Sequence, residues 1–194
     1  MSISLHINGR DETVHARLTD TLRDALRAAG YVSVRFGSHS GETGAAAVLV
    51  DGQLVSADTL LVGQVAGRHV ETIEGLTPGV RELHPIQQAF IETGAIQSGY
   101  STPAMMLAAK GLLSRTPDPT EAQVRDALSG VLCRETGYFR PVQAVLRAAA
   151  YLRGEEPPPL PQPEIVDASY LVGGIPDDGR ESDELGGPEL SGGG

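Results

Sequence analysis

The sequence predicts an α+β chain in which a strand-rich half with one helix precedes four helices and an extended tail. Three observations carry that reading. Residues 2–7, SISLHI, alternate apolar and polar side chains and run into Asn8-Gly9, which marks a hairpin. From His84 onward the apolar period lengthens from two to three or four, as helices require. Between them Leu76-Thr77-Pro78-Gly79 interrupts both patterns, so the chain divides into residues 1–78, 79–153 and 154–194.

After the first hairpin, ETVHARL supplies the returning strand. Thr19 or Thr21 caps a helix whose Leu22, Ala25, Leu26 and Ala29 share one face and which Gly30 ends. Residues 36–52, FGSHSGETGAAAVLVDG, form a Gly-rich loop and then a short apolar strand that closes on an Asp-Gly turn. Gly37, Gly41 and Gly44 tolerate positive φ, so backbone N–H groups there can point inward at a compact anion or cluster. LLVGQVAG reads as a short turn or helix and HVETIEGL as a last strand.

Four helical segments follow: HPIQQAFIETGAIQ, TPAMMLAAKGLLSR, TEAQVRDALSGVL and RPVQAVLRAAAYLRG. Pro85 and Pro103 suit helix starts, where a missing N–H costs little, while Thr120 serves as a cap and Gly130 as a stop. Segments of this length bury a common apolar stripe as a four-helix bundle. The tail opens on PPPLPQP, a stiff spacer, and ends acidic and Gly-rich; EIVDASYLVGGIP between them can lie along a partner's surface.

Charge is unevenly spread. From Gly154 onward there are 10 acids and one Arg, leaving 15 acids against 14 bases in residues 1–153, so the formal −10 belongs mostly to the tail. No basic stripe with aromatics exists, which argues against nucleic acid, and no apolar run approaches a membrane span. Cys133, the single cysteine, rules out an intrachain disulfide framework. The chain reads as soluble and cytoplasmic.

Strand, hairpin, strand, helix and Gly-rich loop follow the order of a β-grasp ferredoxin, and the loop resembles a plant-type 2Fe–2S site with its C-x4-C-x2-C spacing. QSGYSTPAMM resembles QCGFCTPGM, and LSGVLCRETGYFRPVQAV resembles LSGNLCRCTGYxxIxxAV, both of the small iron–sulfur subunit of molybdenum hydroxylases such as carbon monoxide, xanthine and aldehyde dehydrogenases. The resemblance covers residues 1 to about 153, including HPIQQAF and TPDPTEAQVRDALSG. It implies a β-grasp domain and a four-helix domain, each built for one 2Fe–2S cluster.

At the ligand positions that the resemblance assigns, Ser38, Thr43, Ala46 and Asp58 stand in the first site and Ser98, Ser101, Cys133 and Glu135 in the second. Seven of the eight cysteines are thus replaced. Hydroxyl, methyl and isolated carboxylate groups are poor iron–sulfide ligands, so no cluster and no electron relay are expected on this chain. Asp58 and Thr43 are expected to cap the first loop, and Ser98 and Ser101 a helix start in the second. The resemblance also implies that Gln97 and Glu135 face the pterin of a molybdopterin cofactor held by a large subunit. A medium FAD-type subunit is a further implied neighbour.

The expected role is a cluster-free structural subunit, not catalytic by itself. Two alternatives stand beside it: a free-standing interaction or regulatory module, and a subunit of an active oxidoreductase with a non-standard metal in the old pockets. His39, Glu42 and Asp58 have donor types that suit a divalent ion, but their spacing specifies none, and two exposed loop residues plus a cap is the simpler reading. His84 reads as a helix cap or interface residue, Met105 and Met106 as packing, and Cys133 as a buried remnant in the bundle.

Overall fold

A computed structural model describes residues 2–77, 79, 82–157, 159 and 160. The chain divides into two units, Met1–Pro159 and Leu160–Gly194. The expected partner-binding segment EIVDASYLVGGIP and the acidic Gly-rich end lie outside the described residues.

Strands β1 (Ser2–Ile7) and β2 (Arg10–His15) form the predicted hairpin, with Asn8 and Gly9 both at positive φ. Strands β3 (Ala47–Val50) and β4 (Gln53–Ser56) form a second hairpin, so the Asp51-Gly52 turn joins two strands instead of ending one. Strand β5 (His69–Glu71) fills the middle, giving the order β2-β1-β5-β3-β4. It runs parallel to β1 and antiparallel to β3, so the sheet is mixed.

Helix α1 (Leu22–Ala28) is capped by Thr21, whose hydroxyl accepts from Asp24 N, and buries Leu22, Ala25 and Leu26. Ala29 was expected on that face; it is instead the exposed C-cap, because the chain turns at Gly30 (φ +100°) before Ala29 can point inward. The inward residues of the sheet (Ile3, Leu5, Ile7, Val14, Val48, Val50, Val70) and α1 make one core.

The second core belongs to α2 (Pro85–Glu92), α3 (Thr102–Leu113), α4 (Glu121–Ser129) and α5 (Phe139–Leu152), with Phe90, Met105, Met106 and Leu128 buried in it. Two helices are shorter than their apolar segments suggest. α2 stops at Glu92 because Gly94 takes φ +64°, and α4 stops before Gly130. His84 caps α2 as expected, its Nδ1 accepting from Ile86 N at 3.2 Å while Gln87 Oε1 accepts from His84 N. Thr120 and Gln123 make the same reciprocal arrangement at α4.

Strand β3 explains how the cores are joined. Its AVLV run is buried on both faces: Val48 and Val50 belong to the core shared by the sheet and α1, and Ala47 to the helical core. A Cβ on Gly111 would sit 3.3 Å from Leu49 Cδ2, so a small residue there lets α3 lie close on β3. Lys110 pairs with Glu71 across the same seam.

Candidate functional site

The first loop, residues 36–46, leaves α1 behind and enters β3. Ala46 is fully buried and offers no donor atom. Asp58, in the turn after β4, turns a fully buried carboxylate back under this loop. Its Oδ2 accepts from the backbone N–H groups of Gly37 (3.2 Å) and Ser38 (3.3 Å). Its Oδ1 meets Arg23 Nη1 of α1 at 2.5 Å. The Arg23 guanidinium also lies 4.6 Å from the Phe36 ring centroid.

Capping by Asp58 therefore agrees with the expectation. Thr43 contributes less, its Oγ1 accepting only from Ala45 N at 3.4 Å. Ser38 Oγ donates to Glu42 at 2.9 Å, and Ser40 donates to the same carboxylate. His39 instead makes an edge contact with Phe36. The three candidate metal donors are thus engaged separately: Asp58 with Arg23, Glu42 with two serines, His39 with an aromatic ring.

The second loop pair comprises residues 95–101, before α3, and 131–138, before α5. Here the expected capping holds for Ser98 and fails for Ser101. Ser98 Oγ accepts from Tyr100 N, and Ser101 stands at the N-cap of α3 with no side-chain cap bond. The Ser101 hydroxyl instead helps favour the thiolate form of Cys133. Cys133 is half-buried on the loop, not in the interior of the helices. Burial alone would push its thiol up, but the Ser101 and Thr136 hydroxyls and the Thr136 and Glu135 N–H groups outweigh that and bring it below its ordinary value. Tyr138, held at φ +64°, fixes this loop: its hydroxyl donates to Val131 O and accepts from Cys133 N, both at 2.9 Å.

Gln97 and Glu135 are both exposed and sit on the two strands of this loop pair, joined where Glu135 Oε2 accepts from Ser98 N at 3.2 Å. The two regions also touch each other. Leu132 N donates to Thr43 O at 2.9 Å, and the Tyr100 hydroxyl donates to Phe36 O. A cleft of about 420 Å³ lies between them, lined by Gly37, Thr43, Tyr100, Cys133, Arg134 and Tyr138 among others. Neither Arg23 nor Tyr100 was singled out from sequence. Their partners are 35 and 64 residues away, and no local spacing signals such pairs.

The two loops, one on a mixed sheet and one among helices, lie where the resemblance to a small iron–sulfur subunit places its two sites. Comparison with known proteins gives the same class. Residues 72–146 match the family described as the 2Fe–2S binding domain. The small FeS subunit of nicotinate dehydrogenase from Eubacterium barkeri is 40% identical over 154 residues, covering 77% of this chain and 94% of that one. The iron-sulfur-binding subunit of xanthine dehydrogenase from Escherichia coli O157:H7 is 36% identical, covering 75% and 92%. Among solved structures, quinoline 2-oxidoreductase from Pseudomonas putida 86 superposes with TM-score 0.74 at 34% identity, over 80% of this chain and 98% of that one. The chain belongs to the small iron–sulfur subunits of the molybdenum hydroxylases.

The donor sets do not fit the group that the family name implies. A 2Fe–2S centre takes thiolates, with imidazole as a known substitute. The first site offers a methyl, two hydroxyls and a carboxylate already spent on Arg23 and two N–H groups. The second offers one thiol, two hydroxyls and a carboxylate bonded to Ser98 N. Among the described residues no group of three or more His, Cys, Asp or Glu side chains is placed to hold a metal ion. Among the same residues, no helix is long and apolar enough to cross a membrane.

Proposed function

We propose that this chain is a cluster-free structural subunit of a molybdenum-hydroxylase-type complex, which braces the large molybdopterin-binding subunit and shields its pterin. Its two domains, a β-grasp and a four-helix bundle, meet near residue 78, and a medium FAD-type subunit is the second neighbour. The electron-transfer role is given up along with seven of eight ligands.

The observation that carries this reading is that five of the eleven large apolar side chains exposed among the described residues lie at the two loop regions. Phe36, Ile96, Tyr100, Leu132 and Phe139 are between 41% and 58% exposed, and all lie on or beside the loops that once held ligands. Apolar side chains massed around polar groups mark a protein contact. Gln97 and Glu135 stand within that patch, where an amide and a carboxylate can hydrogen-bond the amide and amino edge of a pterin.

Co-expression with a large molybdopterin subunit, followed by size exclusion, tests the reading. The wild type is expected to elute with its partner. Leu132→Asp and Phe139→Asp, both at exposed positions, are expected to elute alone while keeping the wild-type circular dichroism spectrum. A wild-type chain that never associates, or variants that stay bound, would overturn the reading.

A further inference from the structure

The two former ligand sites share one device. In each, the carboxylate at the last of the four ligand positions accepts from the backbone N–H of the residue at the first: Asp58 from Ser38, and Glu135 from Ser98. We propose that these carboxylates are built-in staples that close the two loops in place of iron and sulfide, making the fold independent of metal. The proposal rests on the cluster-free reading above.

The physical need is plain. A loop shaped around an inorganic anion directs several N–H groups inward, and such groups buried without an acceptor destabilise the fold. A carboxylate meets that need, but burying it alone costs more than it relieves. The first site resolves this with Arg23, whose side chain is only 12% exposed beside a carboxylate at 0%. The guanidinium reaches Asp58 from α1, and Arg23 N donates to Ala57 O at 3.0 Å, so helix, turn and loop are tied at one point. The second staple has no such partner among the described residues and lies at the surface, where water competes with it. The first staple is therefore the strong one.

The sites also differ in what remains open. At the first, a Cβ on Gly37 would fall 2.0 Å from Thr43 Oγ1 and 3.1 Å from Asp58 Oδ2, so side chains have closed over the backbone. The second keeps its cleft and its single thiol.

Amide hydrogen exchange on the full chain, purified without added iron, reads each staple separately. Asp58→Asn is expected to speed exchange at Gly37 and Ser38 by roughly tenfold to a hundredfold, the loss of a charge-assisted hydrogen bond. Ser98 should be unaffected. Glu135→Gln should do the reverse, and by only a few-fold because its bond is exposed. Arg23→Met, which keeps Asp58, should also speed exchange at Gly37 and Ser38; it remains readable if the Asp58 variant fails to fold. Unchanged exchange at Gly37 and Ser38 in both Asp58→Asn and Arg23→Met would overturn the proposal while leaving the cluster-free reading intact. Stoichiometric iron and sulfide in the wild-type chain would overturn that reading first, and the staples with it.

Discussion

Substituting Gly44 by Ala tests whether direct contact between the two loop regions supports the fold. Gly44 has φ +65°, and an added Cβ would lie 1.9 Å from Gly130 O, a backbone atom with no side-chain freedom to yield. Three costs follow. The left-handed backbone costs a non-glycine residue about 1–2 kcal/mol. Relieving the overlap to ordinary contact at 3.4 Å separates the segments by about 1.5 Å, a forced repacking worth about 1–3 kcal/mol. That movement breaks the 2.9 Å bond from Leu132 N to Thr43 O, a further 0.5–1.5 kcal/mol or so. The sum, about 2.5–6.5 kcal/mol, corresponds to a fall in Tm of about 5–26 °C for a chain of this size. Gly52→Ala is the control: φ is +78°, but nothing lies within 4 Å of its added Cβ, so only the backbone cost remains, about 2–8 °C. Thermal unfolding followed by circular dichroism decides. Equal falls for the two variants would show that the loop contact carries no stability and refute the reasoning.

Other outcomes follow from single contacts. Ser101→Ala removes a hydroxyl that helps hold the Cys133 thiol below its ordinary 9.0, so the pH midpoint of iodoacetamide alkylation should move up; an unmoved midpoint contradicts the assigned contact. Glu92 is held at about 2 by the Tyr151 hydroxyl and by Arg147, against an ordinary 4.5. A depressed carboxyl stabilises above its unfolded value, so the contribution is present at neutral pH and is lost as pH falls from 4.5 toward 2. Glu92→Gln should accordingly flatten the Tm profile in that window, more visibly at low salt. His84→Ala should cost about 1 kcal/mol through the lost cap of α2, and His84→Asn should restore most of it, as measured by urea unfolding.

Local rules made the hairpin at Asn8-Gly9, the Thr21 and Thr120 caps and all four later helices legible, because each depends on residues within one turn of one another. Helix ends were less legible. Apolar spacing continues through Ala95 and Val131, yet both are buried by loops that pack back on the core after the helix has ended. The Asp51-Gly52 turn was visible but its second strand was not, since LV alone is too short to alternate. At the sites, the family resemblance singled out Asp58, and the chemistry of its carboxylate made it a cap. Its partner Arg23 was not legible, because the ion pair spans 35 residues and joins a helix face to a turn. The same distance effect hid Tyr100. Ser101 was misread because a serine beside a helix start need not turn its oxygen onto the helix N–H groups, and here it makes no cap bond.

On the reading proposed above, this member of an iron–sulfur family holds its shape with carboxylates where relatives are named for their clusters. Iron and acid-labile sulfide, quantified per chain in the complex isolated with its molybdopterin subunit, test it most directly. The account predicts neither in stoichiometric amount on this chain and no visible charge-transfer bands from it. Two full 2Fe–2S clusters per chain, or one seated at Cys133, would contradict it.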